Sequence, residues 1–307
     1  MLLRSSAPIY PGIYLVTLGA TCRYVVSAAN NSLTVSNPGT SAHITHLETR
    51  LESLKLSVRD IKQVILTSLD AAKIGGIALL RRRVPSLKVL APTPLLKSLA
   101  DEGLVRSLWE RDRTLSAPFR VDSPASLEEF KDALRIDRNL GDSEAIDLGD
   151  ETLLRCIYTP GYKTHSATYI VVPHEFLITD QTFGYYRGRL LAAPGGDAGV
   201  AAAASSLRDF EHMEISGIGL PYVGAITGSL VRKHIEGIIQ NTTDITEQVV
   251  QGIHEGFSPE EVREQLREAF FVSTTQDVFF QSALAESFDA IWAQLSSAVQ
   301  QPTTGKR

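Results

Sequence analysis

The stretch ILTSLDAAKIGG, residues Ile65 to Gly76, decides the fold. It starts in an apolar run that predicts a buried strand, passes through a tight turn and then enters a helical pattern. Many hydrolases place metal ligands in a turn of this kind, yet this one contains no histidine. The residues on either side must therefore show whether the turn belongs to a catalytic fold and whether it retains any chemistry.

Strand and helix patterns alternate on both sides of this turn. A helical pattern begins at Ser41, between the early strands and the central turn, and further helical patterns follow the turn. This order predicts a layered α/β protein. The segments with strand-like apolar patterns are IYLVTLG, RYVVSA, SLTVSN, IKQVILTSL, SLKVLAP, ETLLRCIYT, SATYIVVP and EFLITD.

Two segments depart from the alternation. Residues 115–150 are polar and rich in turns, which predicts an insertion or a lid-like connection. Beyond about residue 228 the pattern is helical throughout, and Ser258 to Glu261 has the form of a capping box with proline at the first helical position. We therefore divide the chain into a domain of residues 1–240 and a helical extension, 241–307, packed on that domain or at a dimer interface. An apolar stripe favours such packing: Phe280, Leu284, Phe288, Ile291 and Leu295.

Composition excludes several classes of partner. The chain of 307 residues carries a net charge of −5, which gives no general reason to bind nucleic acid or an anionic membrane. It contains no apolar run of about 18 residues, so no membrane span is expected. Its two cysteines, Cys22 and Cys156, indicate neither a disulfide framework nor a metal site. The start MLLRSSAPIYPG lacks the long apolar stretch of a signal peptide, and the cytoplasm is the expected compartment.

Five short motifs follow one another in a characteristic order: LTVSNPG, TSLDAAKIGG, TPGYKTHS, FLITDQTFG and LPYVGAITGS. Together they resemble the metallo-β-lactamase superfamily over roughly residues 9–240. In that family the second motif reads Thr-His-x-His-x-Asp-His-x-Gly-Gly, and Thr67, Gly75 and Gly76 match its frame. The resemblance implies an αββα sandwich, two sheets between layers of helices, with the metal site at one edge of the sheets.

The resemblance also shows which residues stand where the family has metal ligands. Asp180 is unchanged at the position of the bridging aspartate, whereas none of the seven histidines falls at a ligand position. Tyrosines replace the two later histidines, and an asparagine replaces the early aspartate. The former metal-site positions are Asn37, Ser68, Asp70, Ala72, Lys73, Tyr162, Asp180 and Tyr222.

These replacements predict a site without zinc. Zinc prefers imidazole and thiolate ligands, and a hydrolytic site needs about three protein ligands and a water molecule. Ser68 and Ala72 cannot hold zinc, while the ammonium of Lys73 would repel a cation and neutralise a buried aspartate. Our hypothesis is that Lys73 takes over the electrostatic role of the metal, and that Tyr162 and Tyr222 fill the space left by histidines and ions.

Some of these residues admit other interpretations. Asp70 is either a remaining ligand or the N-cap of the following helix. Lys73 points either into the cleft or into solvent. Tyr162 and Tyr222, with Asp70 and Asp180, would form an oxygen-rich site, since phenolate is an accepted iron ligand.

The leading expectation for function is a catalytically inactive, zinc-free protein that acts as a binding or structural module without a cofactor. Its former cleft is either filled or kept as a pocket for a small molecule, and its C-terminal helices offer a homodimer contact. Two alternatives remain open. One is a metal-dependent hydrolase with the oxygen-rich site, and the other is a small-molecule or redox sensor that uses the same pocket.

Overall fold

The computed structural model describes residues 1–186, 190–191, 198–269, 289–293 and 296. Within them lie two seven-stranded sheets. The N-terminal sheet has the order β2-β3-β4-β5-β6-β7-β8, antiparallel from β2 to β5 and parallel from β5 to β8. Its strands are β2 (Ala7–Tyr10), β3 (Ile13–Leu18), β4 (Thr21–Ser27), β5 (Leu33–Ser36), β6 (Ile61–Ile65), β7 (Lys88–Pro92) and β8 (Arg138–Leu140).

The C-terminal sheet has the order β1-β16-β15-β12-β11-β10-β9 and is antiparallel except between β12 and β15. Its first strand lies near the start of the sequence and pairs with β16, so that Leu2 lies opposite Ile226. The strands are β1 (Leu2–Leu3), β9 (Ala145–Gly149), β10 (Thr152–Tyr158), β11 (Ala167–Val172), β12 (Phe176–Ile178), β15 (Gly217–Gly219) and β16 (Ala225–Thr227). A separate short pair consists of β13 (Tyr185–Tyr186) and β14 (Leu190–Leu191).

Helices cover the outer faces of the two sheets. Those of the first half are α1 (Ser41–Ser53), α2 (Ala71–Ile74), α3 (Ile77–Arg83), α4 (Thr93–Leu99), α5 (Glu102–Ser116) and α6 (Leu127–Ala133). Those of the second half are α7 (Val200–Arg208), α8 (Leu230–Glu255) and α9 (Pro259–Ala269). Among the described residues, no helix is both long enough and apolar enough to cross a membrane.

The buried residues of β4 show how the layers are built. Tyr24 and Val26 face the core between the two sheets, while Val25 faces the core beneath the helices. Both faces of the strand are buried, which explains why Tyr24, Val25 and Val26 follow one another without alternating with polar residues. Two sheets with helices on both sides confirm the αββα sandwich predicted from the motifs.

The prediction for residues 115–150 was wrong. This segment holds α6 and two strands, β8 and β9, which form one edge of each sheet by pairing with β7 and β10. Both strands lie at sheet edges and keep several exposed positions, so they lack the continuous apolar pattern of the inner strands. The segment is therefore part of the two sheets and is neither an insertion nor a lid over them.

The C-terminal part of the described chain is helical, as expected. Ser258 and Glu261 exchange the hydrogen bonds of a capping box at the start of α9, and Pro259 is its first residue. Residue 240, the predicted domain boundary, lies within α8, and the division into two parts stays a prediction. Ile291 of the apolar stripe is buried, whereas the other four stripe positions lie outside the described residues.

Candidate functional site

Loops at one edge of the sandwich, together with the short helix α2, carry the eight former metal-site positions. Asn37 follows β5, the segment from Ser68 to Lys73 follows β6, Tyr162 follows β10, Asp180 follows β12, and Tyr222 lies between β15 and β16. All eight residues are buried, with exposed fractions between 0% and 8%. The fold therefore places them in one closed region, and the contacts below show which of them meet.

Lys73 is the centre of the cluster. It lies in α2, and its side chain points into the protein. Of the two orientations that the sequence left open, into the cleft or into solvent, the structure shows the first. The ammonium donates hydrogen bonds to the carboxylate of Asp180, to Ser68 Oγ at 2.7 Å and to Gln181 Oε1. The cation is thus held by three oxygen atoms from two separate loops.

Asp180 is fully buried and accepts hydrogen bonds on both oxygens. Besides Lys73, its Oδ1 accepts from the backbone N–H of Gln181 at 2.7 Å, and its Oδ2 accepts from Ser166 Oγ at 2.5 Å. The first of these caps the 3-10 turn that follows β12. The carboxylate therefore has a cation and two further donors, which is what a buried charge needs.

Asp70 is the N-cap of α2, as one interpretation of the sequence predicted. Its Oδ1 accepts from the backbone N–H of Ala72 at 2.8 Å, and its Oδ2 accepts from the hydroxyl of Tyr162 at 3.2 Å. The ring of Tyr162 has two ammonium groups near it, Lys73 at 5.4 Å and Lys163 at 4.9 Å from its centroid. Cation–π contacts add to the attraction between the ring and both lysines.

Burial shifts the pKa values of the central groups in opposite directions. Burial lowers the pKa of Lys73, Lys163 adds to this effect, and the nearby Asp70 carboxylate opposes it. Burial also raises the pKa of Tyr162 well above its usual value, and Asp70 raises it further. An unpaired ammonium would be unstable at this depth, so the acceptors around Lys73 are necessary to hold it.

Asn37 and Tyr222 have structural contacts. The side-chain amide of Asn37 donates to Thr67 Oγ1 at 2.9 Å, and its Oδ1 accepts from the backbone N–H of Thr67 at 3.0 Å. The ring of Tyr222 packs edge-on against that of Tyr185, with centroids 5.6 Å apart. Tyr222 is 2% exposed and fills volume at the edge of the cluster, as the size of its side chain suggested.

The sequence analysis missed two residues of the cluster, Ser166 and Gln181, while the neighbouring His165, which the sequence left open as a displaced ligand or a hydrogen-bonded side chain, is hydrogen-bonded. His165 Nε2 accepts from the backbone N–H of Leu69 at 3.0 Å, and burial lowers its pKa to about 4. The only signal in the sequence for Ser166 and Gln181 was their position, because Ser166 lies four residues after Tyr162 and Gln181 directly follows Asp180. Among the described residues, Gln181 Nε2 is buried without a hydrogen-bond partner.

A divalent metal ion does not fit these residues. Within the described part of the chain, no three histidine, cysteine, aspartate or glutamate side chains lie close enough together to hold one. Both oxygens of Asp180 and both of Asp70 already accept hydrogen bonds, and the ammonium of Lys73 is bonded directly to Asp180. A metal would have to displace a tethered cation before it could reach the carboxylate of Asp180.

The comparisons with known proteins bear on the fold. Neither a protein-family model nor a curated protein matches the sequence. Among solved structures, a metallo-β-lactamase family protein from Thermus thermophilus superimposes with a TM-score of 0.64 at 16% identity, covering 97% of each chain. The chain has the metallo-β-lactamase fold. This fold was the one that the five motifs predicted, although 16% identity shows the architecture alone.

Two further structures with the metallo-β-lactamase fold match along almost the whole chain. An archaeal superfamily protein from Sulfolobus tokodaii has a TM-score of 0.51 at 16% identity, covering 97% of this chain and 98% of its own. A Cronobacter sakazakii metallo-β-lactamase described by a HARLDQ motif has a TM-score of 0.52 at 16% identity, covering 97% of this chain and all of its own. The described C-terminal helices thus belong to an architecture that these structures share.

Proposed function

We propose that this protein is a zinc-free, catalytically inactive member of the metallo-β-lactamase superfamily that acts as a structural or binding module. In this proposal Lys73 stands in the electrostatic place of the metal. The observation that carries it is the bonding of the Lys73 ammonium to Asp180, Ser68 and Gln181. A positive charge fixed to the chain neutralises the carboxylate that the resemblance assigns to the bridging ligand.

The position of these partners supports a structural role. Ser68 and Lys73 follow a strand of the N-terminal sheet, whereas Asp180 and Gln181 follow a strand of the C-terminal sheet. Their hydrogen bonds therefore join the two halves of the sandwich at one edge. A buried ion pair contributes modestly to stability when it is complete, but an unpaired charge at this depth is strongly destabilising. The pair consequently favours one arrangement of the two halves.

The contacts disfavour the hydrolase with an oxygen-rich site. That site would use Asp70, Asp180, Tyr162 and Tyr222, yet the oxygens of both aspartates are already occupied by hydrogen-bond donors. A phenolate ligand requires a lowered pKa, and burial moves the pKa of Tyr162 in the opposite direction. Tyr162 and Tyr222 are 1% and 2% exposed, so a substrate does not reach them without rearrangement.

A redox sensor based on a thiol is disfavoured by the environment of the cysteines. Cys22 and Cys156 are both buried, and burial raises the pKa of Cys156 to about 12. The reactive form of cysteine is the thiolate, so a thiol with a raised pKa reacts slowly with oxidants. The module is therefore proposed to work through binding or assembly.

Metal analysis of the full chain, purified without chelator, tests this proposal. We expect no stoichiometric zinc, iron or manganese, unfolding that is insensitive to added chelator, and no hydrolysis of thioesters, lactams or phosphodiesters. One equivalent of a transition metal, lost in Asp180→Asn but kept in the exposed control Asp122→Asn, would overturn it. Hydrolysis of any of these substrates by the metal-free protein would overturn the inactive part of the proposal.

A further inference from the structure

A cavity outside the former metal site lies between the start of α1, helix α5 and the segment of residues 117–125. Its volume is about 240 Å³, and its walls include Trp109, Asp112, Arg113, Phe119 and Pro124. Trp109 is fixed in place because its indole N–H donates to the backbone oxygen of Ala125 at 2.9 Å. The cavity thus combines a rigid aromatic wall with one acidic and one basic side chain.

Asp112 is a buried carboxylate that has no basic partner in the part of the chain that the structure describes. It is 4% exposed and accepts from the backbone N–H of Ser41 at 2.9 Å, from Ser41 Oγ at 2.6 Å and from Ser116 Oγ at 3.4 Å. In the described part of the chain, no lysine, arginine or histidine lies within ion-pair distance of it. Two carboxylate oxygens offer about four acceptor positions, so three neutral donors leave room for one more.

Arg113 supplies the opposite charge at the mouth of the same cavity. Its guanidinium lies over the ring of Trp109, 4.9 Å from the centroid, and its side chain is exposed. No aspartate or glutamate among the described residues forms an ion pair with it. A guanidinium presents two parallel N–H donors that match a carboxylate, and stacking on Trp109 limits its orientation.

We propose that this cavity binds a small aliphatic zwitterion of the α-amino-acid type. The ligand's ammonium donates to Asp112, its carboxylate accepts from Arg113, and its hydrocarbon chain packs against Trp109, Phe119 and Pro124. An ammonium gives Asp112 the cationic partner that the described residues do not provide, and the apolar walls exclude water from the pair. The volume suits a ligand with a short branched side chain. This proposal does not depend on the state of the Lys73 cluster.

Fluorescence of Trp109 provides the test. The chain has two tryptophans, so Trp292→Phe leaves Trp109 as the only reporter. L-Leucine is titrated beside its two halves, isoamylamine without the carboxylate and 4-methylpentanoate without the ammonium. We expect saturable binding of L-leucine that is at least about tenfold tighter than that of either analogue. The absence of a saturable response to L-leucine, or equal binding of the amine, would overturn the proposal.

Two variants test whether Asp112 binds the ammonium of the ligand and Arg113 its carboxylate. Asp112→Asn keeps an acceptor for Ser41 while it removes the negative charge, and it is expected to abolish L-leucine binding. Arg113→Gln changes an exposed side chain, so the fold is retained even if the aspartate variant does not fold. It should weaken L-leucine binding about tenfold and leave isoamylamine binding unchanged. Unaltered binding of L-leucine by Arg113→Gln would contradict the assignment.

Discussion

Lys73 donates a hydrogen bond to Asp180, which lies 107 residues further along the chain and in the other half of the sandwich. Side chains from neighbouring loops support both partners, since Ser68 accepts from the ammonium and Ser166 donates to the carboxylate. A tethered cation differs from a metal ion because it cannot be removed by a chelator and offers no open position to a water molecule. This contact therefore links the fold to the proposed loss of hydrolytic chemistry.

The first prediction concerns metal affinity. Lys73→His removes the ammonium and places an imidazole beside Asp180, Asp70 and Tyr162, so we expect the variant to bind zinc measurably and more tightly than the natural chain does. Calorimetric titration with zinc measures it. Lys163→His is the matched control, because Lys163 lies over the same tyrosine ring but forms no ion pair with Asp180. Equal zinc affinity in both variants would contradict the central position of Lys73.

The second prediction concerns the loop after β5. Gly39 has φ of +91°, and a Cβ atom there would lie 1.8 Å from Nη2 of the buried Arg23, whose Nε donates to the backbone oxygen of Pro38. Gly39→Ala should lower the free energy of unfolding by about 3 kcal/mol or more, through backbone strain and steric overlap together. Chemical denaturation measures this change.

Gly256→Ala separates the two causes. Gly256 also has a positive φ, +80°, but a Cβ atom there meets nothing within 4 Å. Gly256→Ala should lower the free energy of unfolding by only about 1 kcal/mol, which is the strain of a left-handed residue that carries a side chain. If both variants lose the same amount, the guanidinium of Arg23 moves aside without cost and the tight contact at Gly39 is unimportant.

The third prediction concerns acid stability. His165 is neutral in the folded protein because its Nε2 accepts from the N–H of Leu69, and burial, followed by Lys163 and Lys73, lowers its pKa from 6.5 to about 4. Below pH 6.5 the unfolded chain therefore binds more protons than the folded one. The stability that this residue contributes is complete above that pH and is lost as the pH falls towards 4, by up to roughly 3 kcal/mol.

His165→Gln tests this because glutamine does not titrate. The difference in unfolding free energy between the natural chain and the variant should narrow as the pH is lowered from 7 to 4, as measured by urea denaturation at each pH. A difference that stays constant over this range would show that protonation of His165 does not oppose folding.

The sequence predicted the architecture and the principal contact of the site for identifiable reasons. The inner strands are buried on both faces, and their apolar runs mark them clearly. Lys73 and Asp180 fall within motifs whose frames are kept by Thr67 and by the glycines that follow, so their positions could be inferred without histidines. Asp70 could be recognised as an N-cap because that role depends only on the residues next to it.

Other features depend on the tertiary structure and were not predictable. Ser166 and Gln181 look like ordinary loop residues, and only the meeting of two loops brings them to Asp180 and Lys73. The edge strands β8 and β9 were misread because edge positions keep polar residues. Asp112 and Arg113 are neighbours in a helix whose pattern shows no cavity, and the aromatic wall comes partly from residues 117–125.

A double-mutant cycle between Lys73 and Asp180, followed by chemical denaturation, tests the central claim most directly. Lys73→Met leaves Asp180 buried without its cation and should cost about 3 to 5 kcal/mol, and Asp180→Asn leaves the ammonium unpaired. The double variant removes both charges, so we predict that it is more stable than the sum of the single losses by at least about 2 kcal/mol. A coupling energy within about 0.5 kcal/mol of zero would show that Lys73 does not neutralise Asp180, and would contradict the account.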